Sequence, residues 1–224
     1  QTYESVLNSL LLSPVLQTIL ALQPENIHST LLANGSEEER ALPSEPKFVQ
    51  SGYTRMMLGR YAFAASQFCR GADVLDTCCG LGWGAYLTAQ FAQQVTAFDI
   101  NPALAAFSTQ TWPATNIEWL SGSTLDLSFL NGKKYNVVLG METIEHFSAA
   151  DGEVYIQQIV SVLHAGGVFI GTSAFPDTAE EARVLEQENP YHLHIHTQQE
   201  MRKLLERYFS RATIIGNWMF IAVK

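Results

Sequence analysis

The sequence predicts an α/β fold, a mainly parallel sheet covered by helices on both faces, and three observations carry that expectation. From residue 73 onward, short runs rich in β-branched and apolar residues alternate with helical stretches. A turn carrying Gly80, Gly82 and Gly84 joins the first such run to a helix. The two final apolar runs, Ala212–Ile215 and Trp218–Val223, are separated only by Gly216-Asn217, the mark of a tight antiparallel hairpin.

The elements follow in order. Val6 to Leu22 is rich in Leu, but Asn8, Ser9, Ser13, Gln17 and Thr18 interrupt it. It reads as an N-terminal helix, because a membrane span needs roughly 20 apolar residues. It lacks the basic start and small-residue cleavage site of a signal peptide, and a chain beginning at Gln1 is expected to lack its native start. Asn34 to Pro46 is polar and reads as an exposed linker, and Lys47 to Phe68 as a helix. Residues 1–72 are thus expected to be a helical cap and linker, covering an acceptor pocket, with the main domain at 73–224. Its strands are placed at Val74–Thr77, Val95–Asp99, Ile117–Leu120, Asn136–Gly140 and Val168–Thr172. Asn101-Pro102 starts one helix with a capping side chain and a proline in the first turn. Gly166-Gly167 is expected to end another before the fifth strand. Thr197 to Phe209 is amphipathic, with Met201, Leu204, Leu205, Tyr208 and Phe209 opposite Arg202, Lys203, Glu206 and Arg207.

Bulk properties exclude several classes. In 224 residues, 47% are hydrophobic, enough for one sizeable core but not for two independent catalytic domains. The net charge of −9 disfavours a surface that neutralises nucleic-acid phosphates and suits a small or uncharged acceptor. Membrane insertion is not expected. Cys69, Cys78 and Cys79 are odd in number and clustered, as free thiols in a reducing compartment would be, so the expected location is cytoplasmic.

The glycine turn brings backbone N–H groups and a helix N-terminus to a ligand, which suits nucleotide-like molecules. Alone it is ambiguous: Gly80-x-Gly82-x-x-Ala85 also satisfies the relaxed dinucleotide fingerprint, with Asp99 near the ribose-binding position. Asp76, at the strand end four residues before Gly80, separates the two readings, since an acid there can hold an ammonium group.

The run Val74-Leu-Asp-Thr-Cys-Cys-Gly-Leu-Gly-Trp-Gly84, the acid Asp99, the run Tyr135 to His146 and Leu163-His-Ala-Gly-Gly-Val-Phe169 together resemble class I S-adenosylmethionine-dependent methyltransferases. The resemblance covers residues 73–224 and implies a Rossmann-like sheet of seven strands ending in the antiparallel pair. It further implies that the loop of Gly80 and Gly82 approaches the methionine part of S-adenosylmethionine. By the same resemblance Asp99 accepts from both ribose hydroxyls, Ile100 lies against the adenine, and the Gly140 carbonyl meets its amino group. The sequence departs from the family twice. Cys78 replaces the first loop glycine, which is tolerable where φ need not be positive. Ser123 stands where an aspartate often contacts adenine, with Asp126 as fallback or as a helix cap.

Glu142, Glu145 and His146 occupy i, i+3 and i+4, so a helical turn would set all three on one face. With imidazole added, they form a plausible cation site for Mg, Mn or Zn. This run resembles those of small-RNA 2′-O-methyltransferases and ubiquinone-biosynthesis O-methyltransferases. The former resemblance implies that Glu142, Glu145, His146 and His192 bind a metal. Without a metal, His146 or His192 would be the general base. His194 is expected to share the direction of His192, while His28 and His164 read as surface residues. Cys78 is read as a small buried residue rather than a nucleophile. Trp83, Tyr53, Arg55, Arg60 and Tyr61 are candidate lining residues, the arginines either pairing with the cofactor carboxylate or serving the surface. The expected activity is methyl transfer to a hydroxyl, less readily an amine, of a small or sugar-like acceptor. An NAD-dependent oxidoreductase, an RNA 2′-O-methyltransferase and a non-catalytic relative are the alternatives.

Overall fold

The structure, a computed structural model, describes residues 13–22 and 41–224. The first part of the expected Val6–Leu22 helix, most of the Asn34–Pro46 linker and His28 lie outside the described residues. In chain order, α1 (Pro14–Ala21), α2 (Pro46–Ser51) and α3 (Tyr53–Phe68) precede β1 (Asp73–Thr77). Then come α4 (Trp83–Thr88), β2 (Gln94–Asp99), α5 (Pro102–Thr111), β3 (Ile117–Ser121) and β4 (Tyr135–Met141). The chain closes with α6 (Ala149–Val162), β5 (Leu163–Thr172), α7 (Ala179–Glu188), α8 (Gln198–Glu206), β6 (Arg211–Ile215) and β7 (Met219–Val223). The sheet has seven strands in the order β3-β2-β1-β4-β5-β7-β6, and the last pair is the expected antiparallel hairpin.

Two compact units divide the chain, residues 1–72 with 79–121, and residues 73–78 with 122–224. Within the first, the single helix expected over Lys47–Phe68 is two. Gly52, at φ 77°, donates to the Val49 carbonyl at 3.3 Å and caps both helices, because glycine takes the left-handed conformation without a Cβ penalty. α5 starts as expected: the Asn101 side chain accepts from the Ala103 N–H at 3.0 Å and Pro102 occupies the first turn. β2 and β3 pair in parallel from Val95 opposite Ile117 to Asp99 opposite Ser121.

Within the second unit, β1 and β4 pair from Val74 opposite Val137 to Asp76 opposite Leu139. β4 and β5 continue in parallel, and β7 runs antiparallel to β5. Fully buried Tyr155, Ile156, Ile159, Phe169, Phe220, Met201 and Leu205 form its core. Burying each such aliphatic or aromatic side chain stabilises by about 1.5–3 kcal/mol. The glycine pair Gly166-Gly167 lies inside β5 rather than before it. Leu163 already pairs with Tyr135, and the backbone of Lys224 exchanges bonds with Gly166 N–H at 3.0 Å and Gly167 carbonyl at 2.9 Å. β-Ladder bonds therefore override the helix-stop signal. α8 ends at Glu206, short of the expected Phe209, and a reciprocal cap between Thr197 and Glu200 opens it.

Candidate functional site

The first unit holds the glycine loop and Asp99. Asp99 ends β2 and is 6% exposed. One carboxylate oxygen accepts the Gly80 N–H at 3.2 Å and the other the Asn101 N–H at 3.0 Å, so the acid ties the loop to the end of its strand. Gly82, at φ 79°, opens α4; a Cβ there would lie 2.6 Å from Ser108 Oγ and 2.7 Å from the Trp119 ring. Gly82 is thus a glycine for packing as well as for the turn, whereas a Cβ at Gly80 would meet nothing within 4 Å. Ile100, next to Asp99, is 70% exposed. Trp83 is buried, stacks edge-on against Tyr61 and donates its indole N–H to the Ala41 carbonyl at 3.0 Å. Arg60 is buried beneath the Tyr53 ring, and Arg55 is exposed.

The second unit carries Asp76, Ser123 and Gly140. Asp76 is fully buried at the last paired position of β1. Cys78 follows at φ 53°, so this position does require positive φ, contrary to the condition under which cysteine seemed tolerable; the thiol is half-buried rather than buried. The Ser123 hydroxyl accepts from the Leu125 N–H at 3.2 Å. Asp126 is exposed and caps the short 3-10 turn Leu127–Leu130 through the Ser128 N–H at 3.0 Å, the cap outcome. Those bonds hold the Asp126 carboxyl below its usual range. At Gly140, a Cβ would stand 2.3 Å from the Tyr155 hydroxyl.

After β4 the backbone does not form the expected regular helical turn. Glu142 sits at φ 50°, its N–H bonded to the Thr172 carbonyl at 2.9 Å and hydroxyl at 3.1 Å; a 3-10 turn then covers Ile144–His146. Glu142 is not among the residues whose ligand atoms converge. Glu145, His146 and His192 do converge, with one potential ligand atom from each lying within 4.8 Å of the others. Backbone bonds bring His192 there, since the Glu145 carbonyl accepts from Leu193 N–H at 2.8 Å and His194 N–H at 3.3 Å.

The hydrogen bonds engage a different nitrogen of each imidazole and leave the proton on Nδ1 in both. His146 Nδ1 lies 3.1 Å from the Tyr191 carbonyl, an acceptor, so the proton of the neutral ring resides on Nδ1 and the lone pair on Nε2. Asn189 receives the Tyr191 N–H on its side-chain oxygen at 3.0 Å, which orients its amide nitrogen toward His192 Nε2 at 3.0 Å. His192 Nε2 is therefore the acceptor and its Nδ1 carries the proton.

His194 does not follow His192. It packs edge-on against His196 at 4.4 Å between ring centroids and lies 3.6 Å from a Glu186 carboxylate oxygen. His196 is 5% exposed; burial and the neighbouring His194 push its imidazole down to about 4, against an upward pull from Glu200. A cavity of about 600 Å³ adjoins these two rings, lined also by Glu153, Glu200, Lys203 and Arg207, and contains none of the residues assigned above to cofactor or metal. Tyr155, Thr77, Asn189 and Tyr191 were not legible from sequence. The roles of Asn189 and Tyr191 depend on backbone groups, which leave no side-chain pattern, and Tyr155 reads as one more core position of an amphipathic helix.

Residues 74–167 match a family model described as a methyltransferase domain. A probable S-adenosylmethionine-dependent methyltransferase of Mycolicibacterium smegmatis is 31% identical over 138 residues, covering 62% of this chain and 51% of the relative. A fatty-acid O-methyltransferase of the same organism is 31% identical over 129 residues, covering 56% and 46%. The chain thus spans about half the length of these relatives. In fold, it resembles magnesium protoporphyrin IX methyltransferase from Synechocystis PCC 6803, solved with bound SAH, at a TM-score of 0.61 and 16% identity over 99% of both chains. The strand order with its closing hairpin and the match over residues 74–167 converge: the fold is that of class I S-adenosylmethionine-dependent methyltransferases, and residues 74–167 belong to that methyltransferase-domain family.

Proposed function

We propose that the protein transfers the methyl group of S-adenosylmethionine to an oxygen of a small-molecule acceptor. The observation that carries the cofactor assignment is Asp99, a buried carboxylate fixed by two backbone N–H groups at the end of β2. A carboxylate offers about four lone-pair sites, so such an anchored acid retains capacity for the two ribose hydroxyls. Gly80, Gly82 and Ile100, of the same unit, act with it, and the family resemblance assigns Asp76, Ser123 and Gly140 to the same cofactor. A family match to methyltransferases supports this cofactor over a dinucleotide. The name of the fatty-acid O-methyltransferase relative supports oxygen as the acceptor atom, and the charge of −9 argues against RNA.

The chemistry is an in-line displacement: the acceptor oxygen forms a bond to the methyl carbon as the carbon–sulfur bond breaks, and sulfur keeps the electron pair. Proximity and orientation supply most of the rate. His146 takes the acceptor proton on Nε2, because its Nδ1 proton is held by the Tyr191 carbonyl. His192, protonated on Nδ1, serves as a hydrogen-bond donor that orients the acceptor.

The residues also fit a divalent cation. It would be held by a Glu145 oxygen and the Nε2 lone pair of His146, in place of that ring's role as base and with its Nδ1–H on a backbone carbonyl as in metal-binding histidines; His192 would join only in its other tautomer. When bound, such a cation would polarise the acceptor oxygen and ease its deprotonation. Glu142, outside the group, is not assigned as a ligand.

Transfer of labelled methyl to a panel of small hydroxyl and carboxyl acceptors, with a short RNA alongside, tests the activity. Label is expected on a small molecule, and His146→Ala should lower kcat by about 10²–10⁴-fold with the KM for S-adenosylmethionine little changed. Label on RNA alone, or undiminished turnover in His146→Ala, would contradict the assignment.

A further inference from the structure

Tyr155 is fully buried in α6. Its hydroxyl lies 2.7 Å from Thr77 Oγ1, which itself donates to the Leu139 carbonyl at 2.9 Å. Thr77 spends its proton on that carbonyl, so the bond between the two hydroxyls is donated by Tyr155. The resulting chain runs from helix to β1 to β4. It stands where the strand ladder stops, since the last paired residues are Asp76 and Leu139 and Thr77 lies one beyond. The Thr77 side chain thereby ties the end of β1 to β4, and the Tyr155 hydroxyl fixes its direction.

The ring cannot shift to loosen this link. It packs edge-on against Phe169 at 5.8 Å between centroids and tilts against Phe147 at 5.3 Å. Its oxygen occupies the space of a Cβ at Gly140, which explains the glycine there. Burial, together with the nearby Cys78, Asp76 and Glu145, holds the phenol far above its usual range, so it remains a neutral donor.

From this geometry we infer that Tyr155, acting through Thr77, is a positioning residue that sets the spacing between the end of β1, with Asp76 and Cys78, and the end of β4, with Gly140. The inference rests on the S-adenosylmethionine reading for its functional consequence, because Asp76 and Gly140 are the contacts assigned to that cofactor in this unit. The structural half stands without it.

Tyr155→Phe and Thr77→Val each delete one link, Thr77→Ser keeps the hydroxyl, and Ile159→Val trims a buried residue of the same helix. In cofactor-free protein, amide exchange at Leu139 to Met141 should accelerate about tenfold in the first two variants. It should stay near wild type in Thr77→Ser. In parallel, the Kd for S-adenosylhomocysteine should rise about tenfold in Tyr155→Phe and Thr77→Val, with no further rise in the double variant. KM for S-adenosylmethionine should follow, with kcat within about threefold. Ile159→Val should leave the Kd unchanged. Unaltered exchange in Tyr155→Phe overturns the positioning role whether or not the cofactor binds. An equal rise in Kd in Ile159→Val also overturns it, as the effect would then be general loss of stability. Failure of the wild type to bind S-adenosylhomocysteine, with exchange accelerated as stated, removes only the cofactor assignment.

Discussion

His196 shows how a single side chain reports its surroundings. Burial holds its imidazole at about 4 against an ordinary 6.5. Between these values the unfolded chain binds more protons than the folded one, so stability is full above about pH 6.5 and declines as pH falls toward 4. The groups facing it are His194, whose charge pushes in the same direction, and Glu200, which opposes. From pH 7.5 to pH 5 this one histidine should remove about 2 kcal/mol of unfolding free energy. Urea titrations at the two pH values should show that difference in the wild type and lose it in His196→Gln. An identical pH slope in the variant would contradict the buried, neutral imidazole. Cys78 and Gly82 carry a different lesson at the same scale. Sequence marked both as loop positions, but the requirement for φ 53° at Cys78 and the Trp119 ring filling the side-chain space at Gly82 arise from tertiary packing.

At the scale of elements, local chemistry was legible where it was self-contained. Asn101-Pro102 starts α5 and Thr197 starts α8 because capping needs only neighbours in sequence. It failed where a distant strand intervened: Gly166-Gly167 reads as a helix stop, yet Lys224 draws it into β5. The Glu142–His146 segment failed likewise. Spacing alone predicts one helical face, but Thr172 captures the Glu142 N–H and turns the backbone before the 3-10 turn begins. This divides two glutamates that sequence treats alike. After chelation and readdition of a divalent cation, Glu145→Gln should lose metal-dependent activity and binding by about 10–100-fold or more, and Glu142→Gln by much less. Equal losses would contradict the division, and full activity in metal-free wild type would remove the cation from the mechanism.

For the whole molecule, alternating apolar runs and helices were enough to read the sheet from β1 to β7, since strand periodicity and turn residues are written locally. S-adenosylmethionine was legible through the family resemblance of Asp76, the glycine loop and Asp99 taken together, residues that lie at strand ends and turns; the glycine loop alone also fits a dinucleotide. The histidine arrangement was only half legible. Nothing in the spacing reveals that Tyr191 and Asn189 engage different nitrogens of His146 and His192 while leaving the proton on Nδ1 in both, or that His194 turns away toward Glu186. Among the described residues no helix is long and apolar enough to cross a membrane. The central claim is that Asp99 holds S-adenosylmethionine. Calorimetric titration with S-adenosylhomocysteine tests it most directly: the wild type should bind, and Asp99→Ala, with unchanged circular dichroism, should bind at least about 100-fold more weakly for two lost charge-assisted hydrogen bonds. Wild-type affinity in Asp99→Ala would contradict the account.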